Sequence, residues 1–208
     1  MSSENEPVTC VLASGNQGKL AELSNALTSL GITLVSQSEY KVSEADETAS
    51  SFVENALIKA RHASEFTGLP ALADDSGLVV PALKGAPGIH SARYAASDDR
   101  KPTDQDNIDK LLRELAPLTE EQRSAYFVCT LVYLRHDSDP EPVIATGLWH
   151  GHILQQSDGN GGFGYDPVFY CPQQKMSAAS MGSEKKKTIS HRAIALAKLT
   201  PMLANSVL

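Results

Sequence analysis

Residues 8–35 read VTCVLASGNQGKLAELSNALTSLGITLV, and this stretch decides the fold. Val8 to Ala13 is a continuous apolar run, the pattern of a buried strand. It ends in Ser14-Gly15-Asn16-Gln17-Gly18-Lys19, residues that favour turns. Leu20, Leu23, Ala26, Leu27 and Leu30 then recur at helical spacing, and Gly31 offers a C-cap. Ile32 to Val35 reads as a second short strand. A β–loop–α–β opening points to an α/β fold rather than an all-helical or all-β one.

Working outward, residues 51–66 read as a second helix with Phe52, Ala56, Ala60 and Ala63 on one stripe. Pro70 to Ala73 is a short apolar segment ending in Asp74-Asp75-Ser76-Gly77, with Leu78 to Leu83 beyond it. The run SDDRKPTDQD (97–106) reads as an exposed loop, and Ile108, Leu111, Leu112 and Leu115 mark a third helix that Pro117 ends. Tyr126 to Leu134 is a long β-branched and aromatic strand, with Val143 to Leu148 and Trp149 to Leu154 as two neighbours. Residues 158–165 are glycine-rich, 177–187 are polar and basic, and a final helix starts near Ser190. No linker or repeat divides the chain, so 1–208 reads as one unit, with residues 1–7 as a flexible tail.

Composition narrows the function. With 18 Lys+Arg against 25 Asp+Glu, the net charge of −7 argues against stable binding to nucleic acid, whose affinity rests on neutralising phosphates. The apolar stretch around Phe127 to Leu134 is too short to cross a bilayer. The start, MSSENEP, lacks a basic n-region and an apolar h-region. Cys10, Cys129 and Cys171 are odd in number and far apart, which predicts reduced core thiols and a cytoplasmic protein.

Six constellations carry chemistry, each with an ordinary alternative. Ser14 to Lys19, between a strand and a helix, could cradle phosphate with backbone N–H groups and the Lys19 ammonium, or could be a plain connecting turn. It is neither GxxxxGK[ST] nor GxGxxG. Asp74 and Asp75 are costly to hold side by side unless a cation or solvent reaches them, which suits Mg²⁺; the alternative is an Asx-type turn. Glu44, Asp46 and Glu47 could add a metal ligand or form a solvated loop. Asn55 and Lys59 share a helix face, where Lys59 could reach a phosphate or an ordinary surface partner; Arg61 lies nearby. Gly161 to Pro167 (GGFGYDP) could present a stacking face for a base or fold as a hairpin with a buried Phe. Lys185, Lys186 and Lys187 precede Ser190-His191-Arg192 at a helix start, where cations oppose the helix dipole and so hint at a ligand.

In this order, ASGNQGK, SFVENALIKARHA, ALADDSGL, GAPGIHSARYA, GGFGYDPVF and EKKKTISHRA resemble the inosine/xanthosine triphosphate pyrophosphatase family, the Ham1-like enzymes. The resemblance runs from about Val8 into the final helix. It implies a long mixed central sheet flanked by helices, with two lobes and a nucleotide cleft between them. It implies a homodimer that uses Mg²⁺ to hydrolyse ITP, dITP and XTP to the monophosphate and pyrophosphate, clearing deaminated purines from the nucleotide pool. Ser14, Gly15, Asn16, Gln17, Gly18 and Lys19 fall on the triphosphate loop. Asp75 falls on the catalytic and metal position with Asp74 beside it, and one of Asp46 and Glu47 on another metal position. Ser76, Phe163, Gly164, Tyr165, Asp166, Lys186, His191 and Arg192 fall on nucleotide contacts. Asn55 and Lys59 belong with the phosphate side on their helix spacing. The loop from Ala95 to Asp106 departs from the pattern by a few extra residues, and Ser51 stands where Thr is common.

The expected mechanism has Asp75 or Asp74 activating a water while Lys19 and Lys59 stabilise phosphates. Donors from His191 and Arg192 would favour a 6-keto purine over adenine. Two alternatives are a Maf-like pyrophosphatase, opposed by SHR and GGFGYDP, and a non-catalytic nucleotide-binding regulator, opposed by the intact acidic pair.

Overall fold

A computed structural model describes residues 7–97 and 100–206. The expected tail, residues 1–7, lies outside these apart from Pro7. The elements are β1 (Val8–Leu12), α1 (Gln17–Leu27), β2 (Ile32–Ser36), α2 (Phe52–Thr67), β3 (Ala71–Val79), α3 (Asp104–Leu115), β4 (Ser124–Leu134), β5 (Val143–Ile153), β6 (Phe169–Cys171), β7 (Met176–Ser177), α4 (Ser183–Ile189) and α5 (His191–Ser206). The strands form one mixed sheet in the order β2-β1-β3-β4-β5-β6-β7. β1 pairs in parallel with β2 and β3, whereas β6 runs antiparallel to β5 and β7. The chain divides into two compact units. One takes the residues through Asp75, Cys129–Gly147 and those from Ala195; the other takes Ser76–Val128 and Leu148–Ile194.

In the first unit the sheet is covered by helices with different apolar faces. Leu23 and Leu27 of α1 and Ala195, Leu196, Leu199 and Leu203 of α5 pack with Cys10, Leu12 and Leu72. Ala56, Ala60 and Ala63 of α2 pack instead with Val11, Ala13, Ala71 and Ala73. Successive strand residues point to opposite faces, so α1 and α2 meet opposite faces of β1 and β3. The alanine stripe on α2 lets that helix lie close to the strands. α2 starts at the N-cap Ser51, whose Oγ accepts the Glu54 N–H, and stops at Gly68, whose φ of 67° suits a residue without a Cβ. The second unit packs around Phe127, Trp149, Tyr165 and Phe169.

Three segments differ from the sequence expectation. Residues 70–83 do not form two apolar pieces around a turn; Asp74-Asp75-Ser76-Gly77 lies inside the single strand β3. Alternation places the two carboxylates on opposite faces, and a lysine meets each, so the charges need no exit to solvent. Residues 143–154 form one long strand, β5, rather than two. The described part of the 97–106 segment does not remain loop to its end: α3 begins at Asp104 behind the N-cap Thr103, with a capping box closed by Asp106. Cys10, Cys129 and Cys171 are free and buried, as expected. No helix among the described residues is long and apolar enough to cross a membrane.

The turn between β4 and β5 is tied by Asp139, which is 1% exposed. Its carboxylate accepts the Arg135 N–H (2.9 Å), Nε (2.8 Å) and Nη2 (2.6 Å), and the Glu141 N–H (3.0 Å). These bonds, those from Arg135 first, hold the Asp139 carboxyl well below the usual carboxylate range. A depressed carboxylate stabilises the fold above its unfolded value, about 3.9, and ceases to do so as pH falls through the folded one. Asp139→Asn should therefore be less stable than the parent at pH 7, with the gap in denaturation midpoint shrinking in acid below about pH 4. Fully buried Leu131 supplies the core comparison. Leu131→Ala should lower the unfolding free energy by about 2–5 kcal/mol in urea titration. Leu148→Ala, at a position 40% exposed, should change it by less than about 1 kcal/mol.

Candidate functional site

The loop between β1 and α1 is pinned from below. The Ser36 hydroxyl, buried at the end of β2, donates to the Ser14 carbonyl (3.1 Å). Ser14 Oγ accepts the Asn16 N–H (3.2 Å), and Asn16 Oδ1 caps α1 by accepting the Lys19 N–H (3.1 Å). A Cβ on Gly15 would lie 3.3 Å from Ser38 Oγ, so the loop passes close to the residues that follow β2. Gly15, Asn16, Gln17 and Gly18 remain exposed. The first-turn N–H groups of a helix lack intrahelical partners and bear partial positive charge, a setting that suits an anion.

Lys19 extends from α1 to Asp74, with Nζ 2.8 Å from Oδ1. On the other face, Lys59 of α2 places Nζ 3.0 Å from both Asp75 Oδ1 and Glu47 Oε1. Asp74 and Asp75 are only 2% and 7% exposed. Burial pushes the Asp75 carboxyl up, and the attraction of Lys59 only partly offsets this, with Glu47 and Asp74 adding repulsion. Burial also opposes the charge on Lys59, but the attraction and hydrogen bonding of Asp75, with help from Glu47, outweigh it and hold the ammonium up. Oδ2 of Asp75 is buried and makes no hydrogen bond among the described residues.

Of the two carboxylates left open by sequence, Glu47 reaches the Lys59–Asp75 pair, while Asp46 is exposed, as is Glu44. Asn55, expected to touch substrate, is fully buried. Its Oδ1 accepts the Ala49 N–H (3.0 Å), which fastens the segment bearing Glu47 to α2. Arg61 turns away and donates to the carbonyls of Asp137 and Asp139.

The second unit holds the remaining residues. Phe163 is 63% exposed. Its N–H donates to Asp166 Oδ2 (2.9 Å), the Lys186 ammonium pairs with the same carboxylate, and Lys186 Nζ lies 4.6 Å from the Phe163 ring centroid. Gly162 has φ +79°, and a Cβ there would collide with Asp166 Oδ2, so only glycine allows the loop to close on that carboxylate. Gly164 donates its N–H to Asp104 Oδ2 (2.7 Å). Asp166 is therefore buried beneath the loop instead of displayed on it. Tyr165 is buried too, with its hydroxyl donating to the Ser91 carbonyl (2.9 Å), and burial keeps its phenol protonated. Ser76 is half-buried on β3. His191 and Arg192 open α5 and are both buried, with the His191 ring stacked on Phe127 at 4.9 Å and 17°.

Sequence reasoning missed Ser36, Asp104 and Phe127. Ser36-x-x-Glu39 is a capping-box signal, and Thr103-x-x-Asp106 is another. Phe127 gave no signal beyond strand periodicity.

The profile of the Ham1 family matches residues 10–202. The chain is 50% identical to the dITP/XTP pyrophosphatase of Photobacterium profundum, over 94% of this chain and 98% of that protein. It is 51% identical to the dITP/XTP pyrophosphatase of Salmonella paratyphi A, over the same shares. Among solved structures, a HAM1 protein from Coxiella burnetii superposes with a TM-score of 0.90 at 45% identity, covering 95% of this chain and 99% of that one. A nucleoside-triphosphatase/dITP/XTP pyrophosphatase from Mycobacterium abscessus gives 0.78 at 42% identity, covering 94% and 100%. With sheet order, acidic centre and glycine loop already in place, a match over nearly the whole length means that the chain belongs to the Ham1 family.

Proposed function

We propose that the chain hydrolyses dITP, ITP and XTP to the monophosphate and pyrophosphate, removing deaminated purines from the cytoplasmic nucleotide pool. The observation that carries this reading is the Glu47–Lys59–Asp75 arrangement beside Lys19–Asp74, in a chain half identical to proteins named dITP/XTP pyrophosphatases. A net charge of −7 accords with a small-molecule substrate rather than nucleic acid. We assign the active form as a homodimer on the family resemblance; light scattering of the purified chain would test this.

Among the described residues no group of three or more His, Cys, Asp or Glu is placed to hold a metal alone. Mg²⁺ does not need one, because it takes one or two carboxylates and completes its shell with water and substrate phosphate. Glu47 and Asp75, two oxygen donors already sharing one cation, fit it. Asp75 Oδ2, buried without a donor among the described residues, fits a further positive partner. Bound to these residues, Mg²⁺ would supply charge neutralisation at the phosphates.

The chain's own groups then divide the work. The Ser14–Lys19 loop, exposed at Gly15 to Gly18, binds the phosphate chain with N–H groups at the start of α1. Asp75 orients the attacking water and takes its proton at a carboxylate oxygen. Burial holds the Asp75 carboxyl above its usual range, which favours it as the proton acceptor. Water attacks the α-phosphorus as the bond to the bridging oxygen breaks, and the pair of electrons leaves with pyrophosphate. Lys19 and Lys59 stabilise the charge that develops there. Phe163 offers an exposed ring face to the base, Ser76 and Lys186 add polar contacts, and His191 and Arg192 donate to a 6-keto oxygen that adenine lacks.

Asp75→Asn should reduce pyrophosphate release from ITP by about 10²–10⁴-fold while circular dichroism and melting remain those of a folded protein. Near-normal turnover would remove Asp75 from the mechanism. Chelation with EDTA should abolish release, and Mg²⁺ should restore it. Side-by-side turnover of ITP, XTP, GTP and ATP tests the base reading: ITP and XTP should exceed ATP strongly, and equal turnover of all four would overturn it.

A further inference from the structure

The candidate base loop owes its shape to two carboxylates that accept successive backbone N–H groups. Asp166 Oδ2 takes the Phe163 N–H at 2.9 Å, and Asp104 Oδ2 takes the Gly164 N–H at 2.7 Å. Asp166 lies within the loop's own sequence, but Asp104 comes from 60 residues earlier, at the first position of α3. That helix start is itself held firmly. Thr103 caps it, Asp106 accepts the Thr103 N–H and hydroxyl, and the Arg100 guanidinium grips Asp106 with two hydrogen bonds of 2.7 and 2.8 Å. Asp104 therefore projects from a fixed platform onto a loop that glycines leave soft at residues 159, 161, 162 and 164. The Phe163 side chain springs from the backbone between those two anchored N–H groups, and its ring is exposed, so the anchors rather than burial set where it stands.

We propose that Asp104 is a positioning residue for base recognition: its hydrogen bond to Gly164 sets the placement of the Phe163 ring. This rests on the reading that Phe163 receives the base. A charge-assisted hydrogen bond is among the stronger polar contacts, so a single one can order a glycine loop. Asp104 belongs neither to the Lys19–Asp74 pair nor to the Glu47–Lys59–Asp75 group, so its effect falls on binding of the base end and not on the bond-breaking step.

The test compares Asp104→Ala and Asp104→Asn with the parent enzyme. Thr103 and Asp106 still cap α3 in both variants, which keeps the fold intact. Asp104→Ala should raise KM for ITP about tenfold, the worth of one charge-assisted hydrogen bond, with kcat within about twofold. Inhibition by inorganic pyrophosphate, which has no base, should not change. Amide hydrogen exchange in a peptide spanning residues 159–165 should quicken, and Asp104→Asn, which keeps an acceptor oxygen, should fall between the two. An unchanged KM with unchanged loop exchange would overturn the proposal, as would equal weakening of ITP and pyrophosphate binding. If the parent enzyme fails to separate ITP from ATP, the base reading falls instead, and the exchange measurement still decides whether Asp104 orders the loop.

Discussion

Two carboxylates stand next to each other in the middle of β3, a position where unpaired charge is hardly tolerated. Everything around them follows from how that is resolved. Strand alternation sends Asp74 toward the face of Leu72 and Asp75 toward the face of Ala71 and Ala73. One helix must therefore deliver a cation to each face. α1 supplies Lys19 to Asp74, and α2 supplies Lys59 to Asp75. The same helices bury their leucine and alanine stripes on those faces, so packing and charge neutralisation demand the same arrangement.

This explains why the loop proposed to hold phosphate leads directly into α1. Lys19 reaches Asp74 only if α1 begins close to the end of β1. That short connection puts Lys19 in the first turn of α1, with Gly15 to Gly18 exposed ahead of it. Ser36 then fixes the loop from the next strand. On α2, Asn55 holds the segment that brings Glu47 to Lys59, four residues along the helix. Sequence spacing places Asn55 and Lys59 on one face, and they do act on one segment. The amide oxygen, however, is taken by the backbone N–H of Ala49.

The β–loop–α–β opening, the second helix and the buried thiols are legible because each rests on local periodicity or composition. The Asp74–Gly77 run reads as a turn because Asp, Ser and Gly favour turns in isolation; the lysines that reverse this lie 55 and 16 residues away. Residues 143–148 and 149–154 read as two separate strands, yet β5 runs through Leu148-Trp149 without interruption. Tyr165 and Asp166 sit in a glycine-rich run whose sequence offers a stacking face for a base or a hairpin with a buried Phe. Their burial depends on Ser91 and Lys186, which no local pattern connects to them. Asp104 is hidden for the same reason, since its partner Gly164 is remote in sequence.

The cations assigned to the substrate share one further property. Lys19 rests on Asp74, Lys59 on Asp75 and Glu47, and Lys186 on Asp166. On the proposed assignment none of these three would have to be collected from solvent to meet a phosphate or a base, because a carboxylate already holds each long side chain in place. Exchanging or sharing a carboxylate oxygen for a phosphate oxygen costs far less order than immobilising a free lysine. Part of the acidic excess that gives the chain its charge of −7 thus works inside, holding positive groups in place. On the proposed assignment, a net charge that looks hostile to a triphosphate would at these positions be part of what prepares the chain to bind one.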